Sequence, residues 1–326
     1  MRSRFTRVLA SAVVLMALAA RPAAAAPFSN LFIFGDSLSD TGNLSQSTGG
    51  LLPGGAPYDG GRYSNGSLWV EHLAEGLGLA ADAVHALAGG NNYAFAGART
   101  GAAGLPPGVL AQAVGLFGPT HASADPDALY VIAGGGNDMR DARDDFGGTT
   151  PADILGRQLA AQTAVSNLQQ TVGFLAARGA RHFLIANLPD LGLTPEAAAL
   201  NRQAASSDAS ARFNALMSGL VAGALGSGLD VRFLDLVALN QAIIADALTN
   251  GGALYGITNV VVPCAGFAGA APYNLPCSAS LFSDGLHPSA RAHELMGQAA
   301  LRAVPEPAVL ALFTLGTLAA VRRRRA

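Results

Sequence analysis

Ser37 stands in "FIFGDSLSDTGN", Phe32 to Asn43, where an apolar run breaks off at Gly35-Asp36-Ser37. A serine at a strand end is a usable nucleophile only if a base lies within hydrogen-bond reach. His287 in "SDGLHPS" (283–289) is the best-placed candidate, between Gly285 and Pro288 before the last helical pattern. Asp284, three residues earlier, is close enough in a tight turn to fix the imidazole tautomer and balance its charge. His72 and His293 lie inside helical patterns, His182 starts a strand, and His85 and His121 have no strand-end context. Attack by Ser37 on a carbonyl would also need donors for the oxyanion. The Ser37 and Gly97 backbone N–H groups and the Asn137 side-chain amide could supply them. Together these groups make up an acyl-transfer site.

The elements that would position these residues are short apolar runs alternating with long helical patterns. Strands are expected at 30–35, 83–88, 127–135, 181–189 and 229–236, and helices at 64–79, 150–179, 195–225 and 288–304. Thr150 and Pro151 suit a helix start, and Gly179 a helix end. Strands separated by helices imply β-α-β units: an α/β domain with a parallel sheet covered on both faces. Three polar segments follow strands: Gly35-Asp36-Ser37, "NNYAFAGA" (91–98) and "GGGND" (134–138). In a parallel sheet they share the carboxyl edge, where such folds place ligands. Asp36 and Asp40 are expected as turn and helix-entry residues, Asp138 as structural, and the runs at 48–66 and 97–108 as loops. Arg62, Tyr63 and Asn65 are expected either to border the cleft or to be solvated.

Composition excludes other chemistries. The chain has 326 residues, 50% apolar and 13% charged, enough for one large core. Every basic residue is Arg, so no P-loop or Schiff-base lysine exists. Residues 27–303 carry 12 Arg against 21 Asp and Glu, which gives no basic footprint for nucleic acid. Residues 1–26 read as a signal peptide, with Arg2, Arg4 and Arg7 before the apolar stretch Val8 to Ala20 and small residues at 23–26. Cys264 and Cys277 are the two cysteines; in an exported protein a disulfide is expected, and they offer no zinc site.

The ordered blocks "FIFGDSLSDTGN", "NNYAFAGA", "GGGND" and "DGLHPS" resemble those of GDSL lipases and esterases, the SGNH hydrolases. "GRYSNGSLWVEHLA" and "FLIANLPDLGLTP" match stretches of the family's long, secreted members. The resemblance covers about 29–303, the hydrolase domain being 27–303. It implies Ser37 as nucleophile, Asp284 and His287 as acid and base, and Gly97 and Asn137 as oxyanion donors. It also implies a flavodoxin-like three-layer α/β/α sandwich of about five strands in the order 2-1-3-4-5, with no cofactor or metal. The second block often has two adjacent glycines; here it has Ala96-Gly97. No serine lies in G-x-S-x-G, which disfavours an α/β-hydrolase.

Residues 304–326 run from Val304-Pro305-Glu306-Pro307 through an apolar stretch, Ala308 to Val321, to four Arg. That pattern resembles the PEP-CTERM sorting signal of Gram-negative bacteria. It implies export, transient retention at the membrane and cleavage by an exosortase-type protease; a plain tail anchor is the other reading. The expected activity is secreted serine ester hydrolysis. A non-catalytic surface or matrix protein binding glycan or lipid, and an acetylesterase for extracellular polysaccharide, are the alternatives.

Overall fold

The computed structural model describes residues 28–265 and 275–304. The expected leader, and the tail beyond Val304, lie outside the described residues.

Four strands form one parallel sheet in sequential order: β1 (Leu31–Gly35), β2 (Leu129–Ala133), β3 (His182–Ala186) and β4 (Asp230–Leu234). Eight helices are numbered here: α1 (Asn43–Ser47), α2 (Trp69–Leu77), α3 (Gly136–Asp145), α4 (Pro151–Ala177), α5 (Pro195–Ala199), α6 (Gln203–Gly226), α7 (Leu236–Asn250) and α8 (Ala290–Ala303). An irregular helical stretch over 109–120, with a π-helical centre at Gln112–Phe117, accompanies them.

Strand side chains alternate between two apolar layers. Phe32, Phe34, Tyr130, Ile132, Phe183 and Ile185 share one core with α4, α6 and the 109–120 stretch. Leu31, Ile33, Leu129, Val131, Leu184 and Leu234 share the other with α2 and α8. This is a three-layer α/β/α sandwich. Each fully buried side chain of this size stabilises the fold by roughly 1.5–3 kcal/mol, so the sheet is a stiff platform for its carboxyl edge.

The strand expected at 83–88, second of the five in chain order, is absent. Ala80–Ala83 and Ala86–Ala88 wind into 3₁₀ turns instead. The free edge of β1 is lined by the extended chain at 91–95. Ile33 N–H donates to Asn91 O at 3.1 Å, Tyr93 N–H to Ile33 O at 2.7 Å and Phe95 N–H to Gly35 O at 3.2 Å. Its outward carbonyls are taken by a side chain: Asn43 Nδ2 donates to Asn92 O at 2.7 Å and Ala94 O at 2.8 Å. The segment holds the place of an edge strand without forming a regular one.

The helix expected over 195–225 is two helices, divided at Asn201, whose φ of 54° is left-handed. Helix α4 starts as its sequence implies, with a capping box between Thr150 and Asp153 and Pro151 at the first turn. Helices α3 and α7 were not apparent as periodic patterns.

Candidate active site

The carboxyl ends of all four strands lie on one edge, and β1 delivers Ser37 there. Gly35 is pinned from outside the sheet by Gln112, which accepts from its N–H at 2.9 Å and donates to its carbonyl at 2.8 Å. A Cβ on Gly35 would stand 2.6 Å from Ala133 O, so glycine is required at this close approach. The chain then turns sharply. Asp36 O accepts from the N–H groups of Ser39 and Asp40, and Asp36 Oδ1 from that of Leu38 at 3.1 Å.

His287 Nε2 lies 2.9 Å from Ser37 Oγ, although 250 positions separate them. His287 Nδ1 lies 2.7 Å from Asp284 Oδ2. Asp284 Oδ1 accepts from the backbone N–H groups of Leu286, at 2.7 Å, and His287, at 2.6 Å. The acid and the base are therefore locked in one short turn. That turn is closed by Ser283, whose N–H and Oγ donate to His287 O, and it runs into α8, which Ser289 caps. All three side chains are buried. Burial alone would raise the Asp284 pKa, but the hydrogen bond and charge of His287 and two backbone N–H groups outweigh it, leaving about 2. An ionised Asp284 accepts only, so Nδ1 donates to it, and Nε2 is left to accept the serine proton.

Asn137 is in the first turn of α3. Its Nδ2 donates to Ala98 O at 2.9 Å, and its Oδ1 accepts from Arg140 Nη1 at 3.2 Å. The amide orientation is thus fixed, with one N–H to spare. Gly97 has a left-handed φ of 81° and lines the polar mouth of the cleft with Ser37 and Asn137. Among the described residues, neither the Ser37 nor the Gly97 backbone N–H has a hydrogen-bond partner. These are the features of an oxyanion hole.

Every site residue expected from sequence is found at this edge, except the two cysteines. Cys264 and Cys277 form a disulfide in the loop preceding the Asp284 turn. Asp40 caps α1, as a helix-entry residue should, and it also accepts from Ala96 N–H at 2.7 Å, binding the first block to the second. Asp138 accepts from Thr100 N–H and Oγ1, fixing the loop after Gly97. Of the three residues proposed to border the cleft, Tyr63 does so: its ring centroid is 4.9 Å from that of His287. Arg62 pairs with Glu71 instead, and Asn65 Oδ1 accepts from Ala290 N–H at the start of α8.

The other histidines stay away from Ser37. His182 pairs with Asp230 and His121 stacks on Phe117. His293 is fully buried and accepts from Trp69 N–H; burial, then the nearby His287, lowers its pKa to about 3. Among the described residues, no group of three or more His, Cys, Asp or Glu is arranged to hold a metal ion.

Sequence reading missed three features. Asn43 and Asn92 sew the first two blocks together, Asn43 donating to Asn92 O and Ala94 O and Asn92 to Ser39 O and Thr41 Oγ1; their presence inside the quoted blocks was the available signal. Tyr58, in a run read only as loop, reaches Asp284. Beside Ser37 opens an apolar cavity lined by Leu38, Leu188, Leu239, Ile243, Phe282 and Leu286 among others. It gathers residues from five separate segments, so no local pattern announces it.

A family model described as GDSL-like Lipase/Acylhydrolase matches residues 31–300. A second, described as PEP-CTERM protein-sorting motif, matches residues 303–325. The chain is 31% identical to phosphatidylcholine-sterol acyltransferase of Aeromonas hydrophila over 209 residues, 64% of this chain and 58% of that protein. It is 29% identical to esterase EstA of Pseudomonas aeruginosa over 333 aligned positions, 88% of this chain and 49% of that protein. The chain thus spans about half the length of these curated relatives. An extracellular lipase from Streptomyces rimosus aligns in structure over 85% of this chain and 99% of its own, with a TM-score of 0.43 and 19% identity.

Proposed function

The chain belongs to the GDSL-like lipase/acylhydrolase family and carries a PEP-CTERM sorting motif, and from that premise we propose that it is an exported serine ester hydrolase forming an acyl-enzyme on Ser37. The observation that carries this reading is the unbroken relay from Ser37 Oγ to His287 Nε2, and from His287 Nδ1 to Asp284 Oδ2, at 2.9 and 2.7 Å.

His287 takes the hydroxyl proton as Ser37 Oγ bonds to the ester carbonyl carbon, and the carbonyl electron pair moves to oxygen. That oxyanion faces the N–H groups of Ser37 and Gly97 and the spare amide N–H of Asn137. Asp284 balances the imidazolium. On collapse the ester C–O bond breaks, and His287 gives its proton to the departing alkoxide. Water, deprotonated by His287, then attacks the acyl carbon; the acid leaves and Ser37 regains its proton.

The apolar cavity beside Ser37 favours a fatty acyl chain over an acetyl group. Leu, Ile, Phe and Met are the largest group in its lining and bind methylenes, although Asp190, Thr194 and Asn240 also reach it. A lipid or other long-chain ester is therefore the proposed substrate, ahead of acetylated polysaccharide. The proposed domain layout is a leader at 1–26, the hydrolase at 27–303 and a sorting tail at 304–326, cut by an exosortase-type protease after export.

The test is labelling by a fluorophosphonate probe, with hydrolysis of p-nitrophenyl esters from acetate to palmitate. Labelling at Ser37, its loss in Ser37→Ala, and a preference for long chains are expected. An unlabelled protein that binds glycan or lipid without turnover would establish the non-catalytic alternative. Preference for acetate would establish the acetylesterase.

A further inference from the structure

The carboxylate of Asp284 has a fourth partner that the reaction above leaves unused. Tyr58 comes from the Gly- and Pro-rich loop 48–66, 226 positions away, and donates its O–H to Asp284 Oδ2 at 2.8 Å. The same oxygen accepts from His287 Nδ1 at 2.7 Å. Oδ1 is already filled by the backbone N–H groups of Leu286 and His287. The turn alone therefore fixes the plane of the carboxylate. What Tyr58 adds acts on the one oxygen that the imidazole also uses.

We infer that Tyr58 is a positioning residue for the acid–base pair: its hydroxyl takes up part of the Asp284 charge, weakens that oxygen's hold on the imidazole, and sets the acid limb of the pH–rate profile. The inference rests on the roles given above to Ser37, His287 and Asp284, and deepens them.

Two observations support it. The Tyr58 ring lies 5.2 Å, centroid to centroid, from Tyr63, whose ring lies 4.9 Å from His287. The phenol is thus held by packing at one end and by the carboxylate at the other. Burial, followed by the charge and hydrogen bond of Asp284, also pushes the Tyr58 hydroxyl well above its ordinary pKa, so it stays a donor across the working range. The other charged and titratable groups around the pair are Asp36 at the end of β1, His293 on α8 and Tyr63 on the loop, with Arg140 of α3 and Glu196 of α5 at the mouth. Among the described residues, none of these donates to Asp284.

The test is Tyr58→Phe, which keeps the ring and deletes the donor, with Tyr58→Ala to remove both. For Tyr58→Phe, the acid limb of kcat/KM should move to higher pH by roughly half a unit to one unit, because Asp284 then keeps its whole charge for the imidazolium of His287 and favours the protonated base. The NMR resonance of the proton between His287 and Asp284 should move downfield as that bond tightens. Tyr58→Ala should show the same shift with an added loss of kcat from unpacking Tyr63. An unmoved limb and an unmoved resonance in Tyr58→Phe overturn the inference, whatever happens to kcat. The resonance reads independently of turnover. Full activity in Ser37→Ala would therefore remove the hydrolase reading, while the resonance still judged Tyr58.

Discussion

Asp284 Oδ1 accepts two backbone N–H groups of its own turn while Oδ2 accepts the ring N–H of His287, three residues on. The two oxygens are not interchangeable: one is committed to the main chain, the other to the imidazole and the Tyr58 hydroxyl. This asymmetry decides what an amide would do there. In Asp284→Asn the carbonyl must stay on the main-chain side, since an NH₂ cannot accept two N–H donors. Its nitrogen then faces His287 and forces Nδ1 to accept.

That tautomer puts the proton on Nε2, pointing at Ser37, where it cannot take the hydroxyl proton. The expected result for Asp284→Asn is a fall in kcat of about 10⁴-fold. Steady-state kinetics on a p-nitrophenyl ester reads it. A loss under about tenfold would mean that Asp284 does not set the tautomer.

Asn137 presents its amide through two fixed contacts, Ala98 O and Arg140. Asn137→Ala should lower kcat by roughly 10²–10³-fold, as expected for one oxyanion donor, with KM little changed. An effect confined to KM would place Asn137 in ground-state binding instead.

The proposed machinery was legible because its four blocks sit where the chain leaves regular structure. Polar residues at the ends of apolar runs are visible locally, and parallel topology brings those ends together. The second strand was misread because 83–88 is apolar enough for a strand yet winds into 3₁₀ turns, while Asn91 to Phe95 takes the edge through hydrogen bonds that hydropathy does not register. Helix α7 was missed because it lacks a clean apolar stripe: Leu236 and Ile243 are buried, whereas Leu248 is exposed. Tyr58 was hidden among glycines and prolines, since a bond across 226 positions leaves no trace in local sequence.

Helix α7 matters because Leu239 and Ile243 line the apolar cavity. Ile243→Trp should fill that space. Turnover of a long-chain ester should then fall by at least about tenfold relative to a short-chain ester, since one or two methylenes excluded from a pocket are worth about 1–3 kcal/mol. The ratio of kcat/KM for palmitate to that for butyrate reads it. An unchanged ratio would send the acyl chain elsewhere, and equal loss on both esters would point to a damaged fold.

Asp36 precedes the proposed nucleophile and is almost fully buried. Burial raises its pKa from 3.8 to about 6, against the opposing effects of the Leu38 N–H and the His287 charge, with Asp138 adding to the rise. The folded protein therefore holds this proton more tightly than the unfolded chain does. Between those two values the native state binds more protons, so stability falls as pH rises through the window and the loss is complete above about 6. A two-unit shift corresponds to about 3 kcal/mol at most. Asp36→Asn has no charge to bury, and its Oδ1 can still accept from Leu38 N–H. Urea unfolding should show the variant gaining up to about 3 kcal/mol on wild type in going from pH 4 to pH 8. Any constant cost of fitting the amide cancels in that comparison. Asp284 behaves oppositely: its pKa is depressed to about 2, so its contribution is present above the unfolded value and is lost only as pH falls towards 2, outside the comparison. A variant whose difference from wild type is the same at pH 4 and pH 8 would mean that Asp36 is not charged at a cost in the native protein.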